Sequence, residues 1–63
     1  QYARNDSMEA SVQLALARNG YYRGPIDGNI GPMSRRAIAN YQADHGLRVT
    51  GYPDGNLLNA LGL

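Results

Sequence analysis

The chain has 63 residues, a formal net charge of +1 and no cysteine. This length holds one domain at most, the lack of cysteine excludes disulfides and cysteine-based metal sites, and the near-neutral charge gives no nucleic-acid footprint. A single histidine, His45, leaves almost no basis for a transition-metal site, and no apolar run reaches the roughly 20 residues of a membrane helix.

Residues 1–5 read as a linker or leader, and residues 6–63 as one domain. A start at Gln1 rather than Met is expected of a processed form or an excerpt, and no signal peptide is visible. Asp6 is placed to cap a first helix, with Glu9 three residues on to complete a capping box. From Ser7 to Asn19 the pattern is helical, since Met8, Val12, Ala15 and Leu16 recur at three- and four-residue spacing. Leu14 lies off that stripe and is free to meet another element. Gly20 is the expected left-handed stop.

Tyr21 to Gly31 reads as a loop, with the turn dipeptides Gly24-Pro25 and Asp27-Gly28. Gly31-Pro32 opens a second helix, proline standing at the first helical position where its missing N–H costs nothing. That helix is expected to run to about His45, with Met33, Ala37, Ile38, Tyr41 and His45 along one face, and to stop at Gly46. His45 then sits at a helix C-terminus, where a cation is favoured. Leu47 to Pro53 forms a second loop, in which Val49 is expected to be a buried anchor. Asp54 caps a short third helix carrying Leu57, Leu58 and Leu61.

A repeat runs through this layout. Val12–Gly20 aligns with Ile38–Gly46, and Asp27-Gly28-Asn29-Ile30 with Asp54-Gly55-Asn56-Leu57. One copy could not bury its apolar face alone, so the two must pack together. The expected fold is all-α: a compact three-helix bundle built on a helix-loop pseudo-repeat, with two irregular loops rich in Gly and Pro. The turns have a structural reading of their own. Gly28 and Gly31 provide backbone freedom, Asp27 bonds its own turn amides, and Ser34 serves the helix start. The Asp-Gly-Asn turns lack the ligand spacing of a calcium loop.

The run Asp27-Gly28-Asn29-Ile30-Gly31-Pro32, then Ser34, Ala37-Ile38, Tyr41-Gln42, Gly46-Leu47 and Val49-Thr50-Gly51, closing on Leu58 and Leu61, resembles the peptidoglycan-binding domain family found beside bacterial cell-wall hydrolases. The resemblance covers about residues 8–63. Ile30 departs from it, standing where the family usually has Phe or Tyr, which removes an aromatic that could stack on a sugar. Tyr41 replaces a common Phe, and Asp54-Gly55-Asn56-Leu57 replaces a more usual Asp-x-x-Thr opening of the last helix.

The resemblance implies a non-catalytic, monomeric module that binds peptidoglycan, through glycan or stem peptide. It would hold a tethered cell-wall enzyme or envelope protein in an extracytoplasmic setting: periplasm, cell wall or secreted. From composition and spacing, no cofactor and no metal are expected. Such a ligand calls for Arg against carboxylates and for exposed aromatic rings and amides. The two loops supply Tyr21, Tyr22, Arg23 and Asn29 from the first and Arg48 and Tyr52 from the second, with Arg35 on the first turn of the second helix. One of Tyr21 and Tyr22 is expected to be buried. If both loops lie on one side, these groups converge on a shallow groove.

An enzyme is not expected. One His, one Glu and no Cys leave neither a metal triad nor an activated nucleophile. The other reading is a domain–domain interaction or inhibitory module that packs on a neighbouring catalytic domain. The same fold resembles part of the pro-segment of matrix metalloproteinases, although that role uses a cysteine and this chain has none.

Overall fold

The computed structural model describes residues 7–63, which form three helices: α1 Met8–Arg18, α2 Pro32–Asp44 and α3 Gly55–Leu61. The expected linker at 1–5 and Asp6 lie outside the described residues. The cap of α1 is Ser7, whose hydroxyl accepts from the Ala10 N–H at 3.0 Å. Glu9 therefore falls on the second helical position and not the third, so the expected Asp6–Glu9 capping box is not the one used. Asp54 caps α3 as expected, accepting from the Leu57 N–H at 3.0 Å.

α1 and α2 end identically. The Tyr21 N–H reaches back to the Leu16 carbonyl at 2.8 Å, and the Leu47 N–H to the Gln42 carbonyl at 2.8 Å. The intervening Gly20 and Gly46 sit at φ 83° and 68°, left-handed positions that a side chain would strain. Each closure turns the chain back over its own helix and drops Tyr21 or Leu47 onto the core.

The core is Val12 and Leu16 of α1, Tyr22, Ala37, Ile38 and Tyr41, and Leu57 of α3. Ile26, Ile30, Leu58 and Leu61 pack against it. α1 touches both other helices. Three apolar expectations fail. Met8, Met33 and Val49 are 49%, 59% and 55% exposed. Met8 and Met33 lie in the first turns of their helices, where the apolar stripe outruns the core. Val49 is not an anchor, because a polar latch holds its loop instead. His45, at the far end of the α2 stripe, is exposed as well.

That latch occurs twice. Gln13 and Gln42 are fully buried. The Gln13 carboxamide oxygen accepts from the Asp27 and Gly28 N–H groups at 3.0 and 2.7 Å. Its nitrogen is shared among Asp27 Oδ1, the Asn29 carbonyl and Ser34 Oγ at 3.0–3.1 Å. The Gln42 oxygen accepts from Thr50 and Gly51 at 2.9 and 3.0 Å, and its nitrogen donates to Thr50 Oγ1 at 2.9 Å.

The structural repeat therefore differs from the one read by residue identity. Asp27-Gly28 matches Thr50-Gly51, an offset of 23. Gly28 and Gly51 share φ values of 75° and 74°. The Asn29 N–H bonds Asp27 Oδ1 and the Tyr52 N–H bonds Thr50 Oγ1. Gly31 and Asp54, the caps of α2 and α3, donate to the carbonyls of Asn29 and Tyr52. The second Asp-Gly-Asn is a helix opening, not a copy of the first turn. Two further assignments change. Gly31 has φ −99° and needs no special freedom. Ser34 does not cap α2 but is buried as an acceptor for Gln13.

Replacing Gln42 with Leu fills the space but leaves two N–H groups without an acceptor. Each such group costs roughly 1–3 kcal/mol, so Gln42→Leu is expected to lower unfolding free energy by about 2–6 kcal/mol in urea denaturation. A loss below about 1 kcal/mol would mean that solvent satisfies the loop equally well.

Candidate functional site

The N-terminal end of α2 is flanked by both loops. Arg35, on the first turn, projects its guanidinium over the Tyr52 ring, with Cζ 4.1 Å from the ring centroid. Gly51 lies against the same group. A Cβ built there would stand 3.7 Å from Arg35 Nη2 and 3.8 Å from Nε. Arg35 thus lies over the ring and beside the Gly51 backbone, whose N–H is bound to Gln42. Tyr52 stays 52% exposed despite this contact. A cation over an exposed ring face is a surface cation–π contact.

On the other side, loop 1 and the start of α2 enclose an open groove of about 190 Å³, bordered by Pro25, Asp27, Asn29, Met33 and Ser34. Asn29 borders it as a residue of the latched turn. Asp27 Oδ1 accepts from the Asn29 N–H at 2.9 Å and from Gln13. These bonds, the Asn29 amide foremost and then Gln13, hold its carboxyl below the usual range.

The expected candidates do not all converge. Tyr22 is only 5% exposed and its hydroxyl donates to the Pro25 carbonyl at 2.7 Å, so it is a core plug and not a stacking surface. Tyr21 packs edge-on against Tyr41 with centroids 5.2 Å apart, and donates to Asp44 Oδ2 at 2.7 Å. That hydrogen bond is the main reason its phenol is pushed above the ordinary value. Nine residues separate Arg35 from Asp44 on α2, or about 14 Å at 1.5 Å per residue, so Tyr21 lies at the opposite end of the helix. Arg23 and Arg48 are exposed on their loops. Arg35 and Tyr52 meet; Asn29 borders the neighbouring groove.

Sequence reasoning missed the positioning role of Gln13. The signal was present: Ala10, Gln13 and Leu16 are spaced three apart on α1, and all three are buried. A polar residue inside an apolar stripe has to find partners. Among the described residues no group of three or more His, Cys, Asp or Glu is placed to hold a metal ion, and no helix is long and apolar enough to cross a membrane.

Comparison with known proteins gives a family for the chain. The family model described as "Putative peptidoglycan binding domain" matches residues 10–61. The chain is 50% identical over 50 residues to "Localization factor PodJL" of Caulobacter vibrioides, covering 79% of this chain and 5% of that protein. It is 49% identical over 49 residues to "Putative OxPP cycle protein OpcA" of Synechococcus elongatus, covering 78% of this chain and 11% of that one. The chain thus spans a small fraction of the length of either relative. No solved structure matches.

The depressed Asp27 carboxyl sets an expectation for acid. A carboxyl whose folded value lies below its unfolded value, about 4, stabilises the fold above that pH, and the contribution fades as pH falls through the folded value. Asp27→Asn keeps a side-chain oxygen for the turn but removes the titration. The urea midpoint of the variant should fall less steeply than that of the parent between pH 4.5 and about 2. Parallel acid limbs would contradict this.

Proposed function

The chain belongs to the peptidoglycan-binding domain family, and from that membership we propose that it is a non-catalytic module that attaches the protein carrying it to the bacterial wall through the Arg35–Tyr52 side of the molecule. The observation that carries this reading is the exposed Tyr52 ring with Arg35 held over it. Peptidoglycan presents sugar faces and stem-peptide carboxylates, and the pair offers a planar ring and a fork of N–H donors. The groove at Asn29 and the loop arginines Arg23 and Arg48 extend the surface. Weak binding suffices for attachment, because it raises the local concentration of whatever is tethered. The setting that follows is extracytoplasmic, and catalysis belongs to other parts of the parent protein.

A second reading has an observation of its own. The relatives bear the names of a localization factor and an OxPP cycle protein, and neither name is that of a wall hydrolase. On this reading the same exposed surface docks on a protein partner within or beyond the parent chain.

Co-sedimentation with insoluble sacculi separates the two, with a helical domain of similar size as control. The expected result is specific retention that falls about tenfold in Arg35→Ala and in Tyr52→Ala, the loss of one charge-assisted contact, while both variants keep their helical circular dichroism. No retention at high protein concentration would transfer the surface to the docking reading.

A further inference from the structure

Resting on the wall-attachment reading, we infer that the Arg35–Tyr52 pair reads a stem-peptide carboxylate rather than the sugars of the glycan. A guanidinium over a ring uses its face for that contact, while its N–H donors lie in its plane and remain directed outward for an oxyanion. The Tyr52 ring lies 4.1 Å from the guanidinium carbon, and Gly51 lies alongside, where a Cβ would come to 3.7–3.8 Å from the Arg35 nitrogens. Gly51 is itself fixed, because its N–H is bound to buried Gln42 at 3.0 Å. The ring contact orients the fork before the ligand arrives, which lowers the ordering cost of binding.

Arg35 covers one face of the Tyr52 ring and leaves a sugar at most the other, and Ile30 in loop 1 provides no second aromatic. The ligand chemistry completes the match. With its lactyl group amide-linked to the stem, the glycan carries no ionised group, and the wall's carboxylates sit on the peptides. A planar fork matches a carboxylate in two parallel bonds. An ammonium in its place would keep the charge and lose the geometry.

The test uses the 63-residue chain and sacculi freed of phosphate polymers. One portion is left untreated, and in another the carboxyls are capped as methylamides. Retention on untreated sacculi with at least about a tenfold loss on capped sacculi, and displacement by soluble stem peptide but not by its amidated form, is the expected result. Arg35→Lys should lose retention as Arg35→Ala does, and Tyr52→Phe should keep it. Amide shifts at Gly51 and Tyr52 on adding stem peptide to the parent chain provide a readout that does not depend on any variant folding.

Equal retention on capped sacculi, an unaffected Arg35→Lys, failure of stem peptide to displace the chain, or shifts confined to other residues would overturn the inference and leave wall attachment standing. Absence of retention on untreated sacculi would remove both.

Discussion

Each of two buried carboxamides accepts two consecutive backbone N–H groups, and the form of both loops depends on that contact. Loops of about ten residues have no ladder or helix to absorb their amides. A domain this small has too little apolar core to cover them: few side chains are fully buried, and Gln13 and Gln42 are among the largest of those. Leaving such amides dry would cost more than the surrounding apolar contacts return. Glutamine resolves this because one side chain offers an acceptor for the turn and a donor for the residues beside it. A carboxylate could accept the same pair of bonds but would carry a buried charge, and an apolar residue would satisfy none of them.

The latch also ties local structure to tertiary structure. Gly28 and Gly51 adopt left-handed angles because that conformation points successive N–H groups at one acceptor. The helix that supplies each glutamine is closed by a left-handed glycine, which returns the chain along it. α1 therefore positions the loop that starts α2, and α2 positions the loop that starts α3. The aromatic contacts at the far end of α2, where Tyr41 stacks on His45 at 3.9 Å under the edge of Tyr21, seal the opposite side of the same core.

Much of this was legible in the chain, and the reasons are specific. Apolar spacing and glycine stops revealed the helices, because both depend on local geometry. Pro32 and Asp54 marked two helix starts correctly, while Ser7 took the cap expected of Asp6. The repeat was misaligned because identical letters, Asp-Gly-Asn, drew the comparison. The true equivalence pairs Asp27 with Thr50, two different residues whose side-chain oxygens do the same work. Gln13 stands inside the apolar stripe of α1, but its partners lie in a loop that only tertiary placement brings to it. The candidate residues suffered from the same limitation. Composition named Tyr21, Tyr22, Arg35 and Tyr52 alike, and only tertiary placement put one tyrosine in the core, one at the far end of α2, and one beneath an arginine.

The latch has a consequence for how such domains diversify. Its bonds are made to backbone amides from below, so they constrain where the loop runs and not which side chains it carries outward. Positions 23, 29, 48 and 52 are exposed on those loops, and most of them can change without disturbing the amide beneath. Ligand preference is thereby decoupled from foldability. One scaffold can be carried into very different parent proteins and acquire new partners by surface drift, while two interior glutamines keep the frame in which that drift takes place.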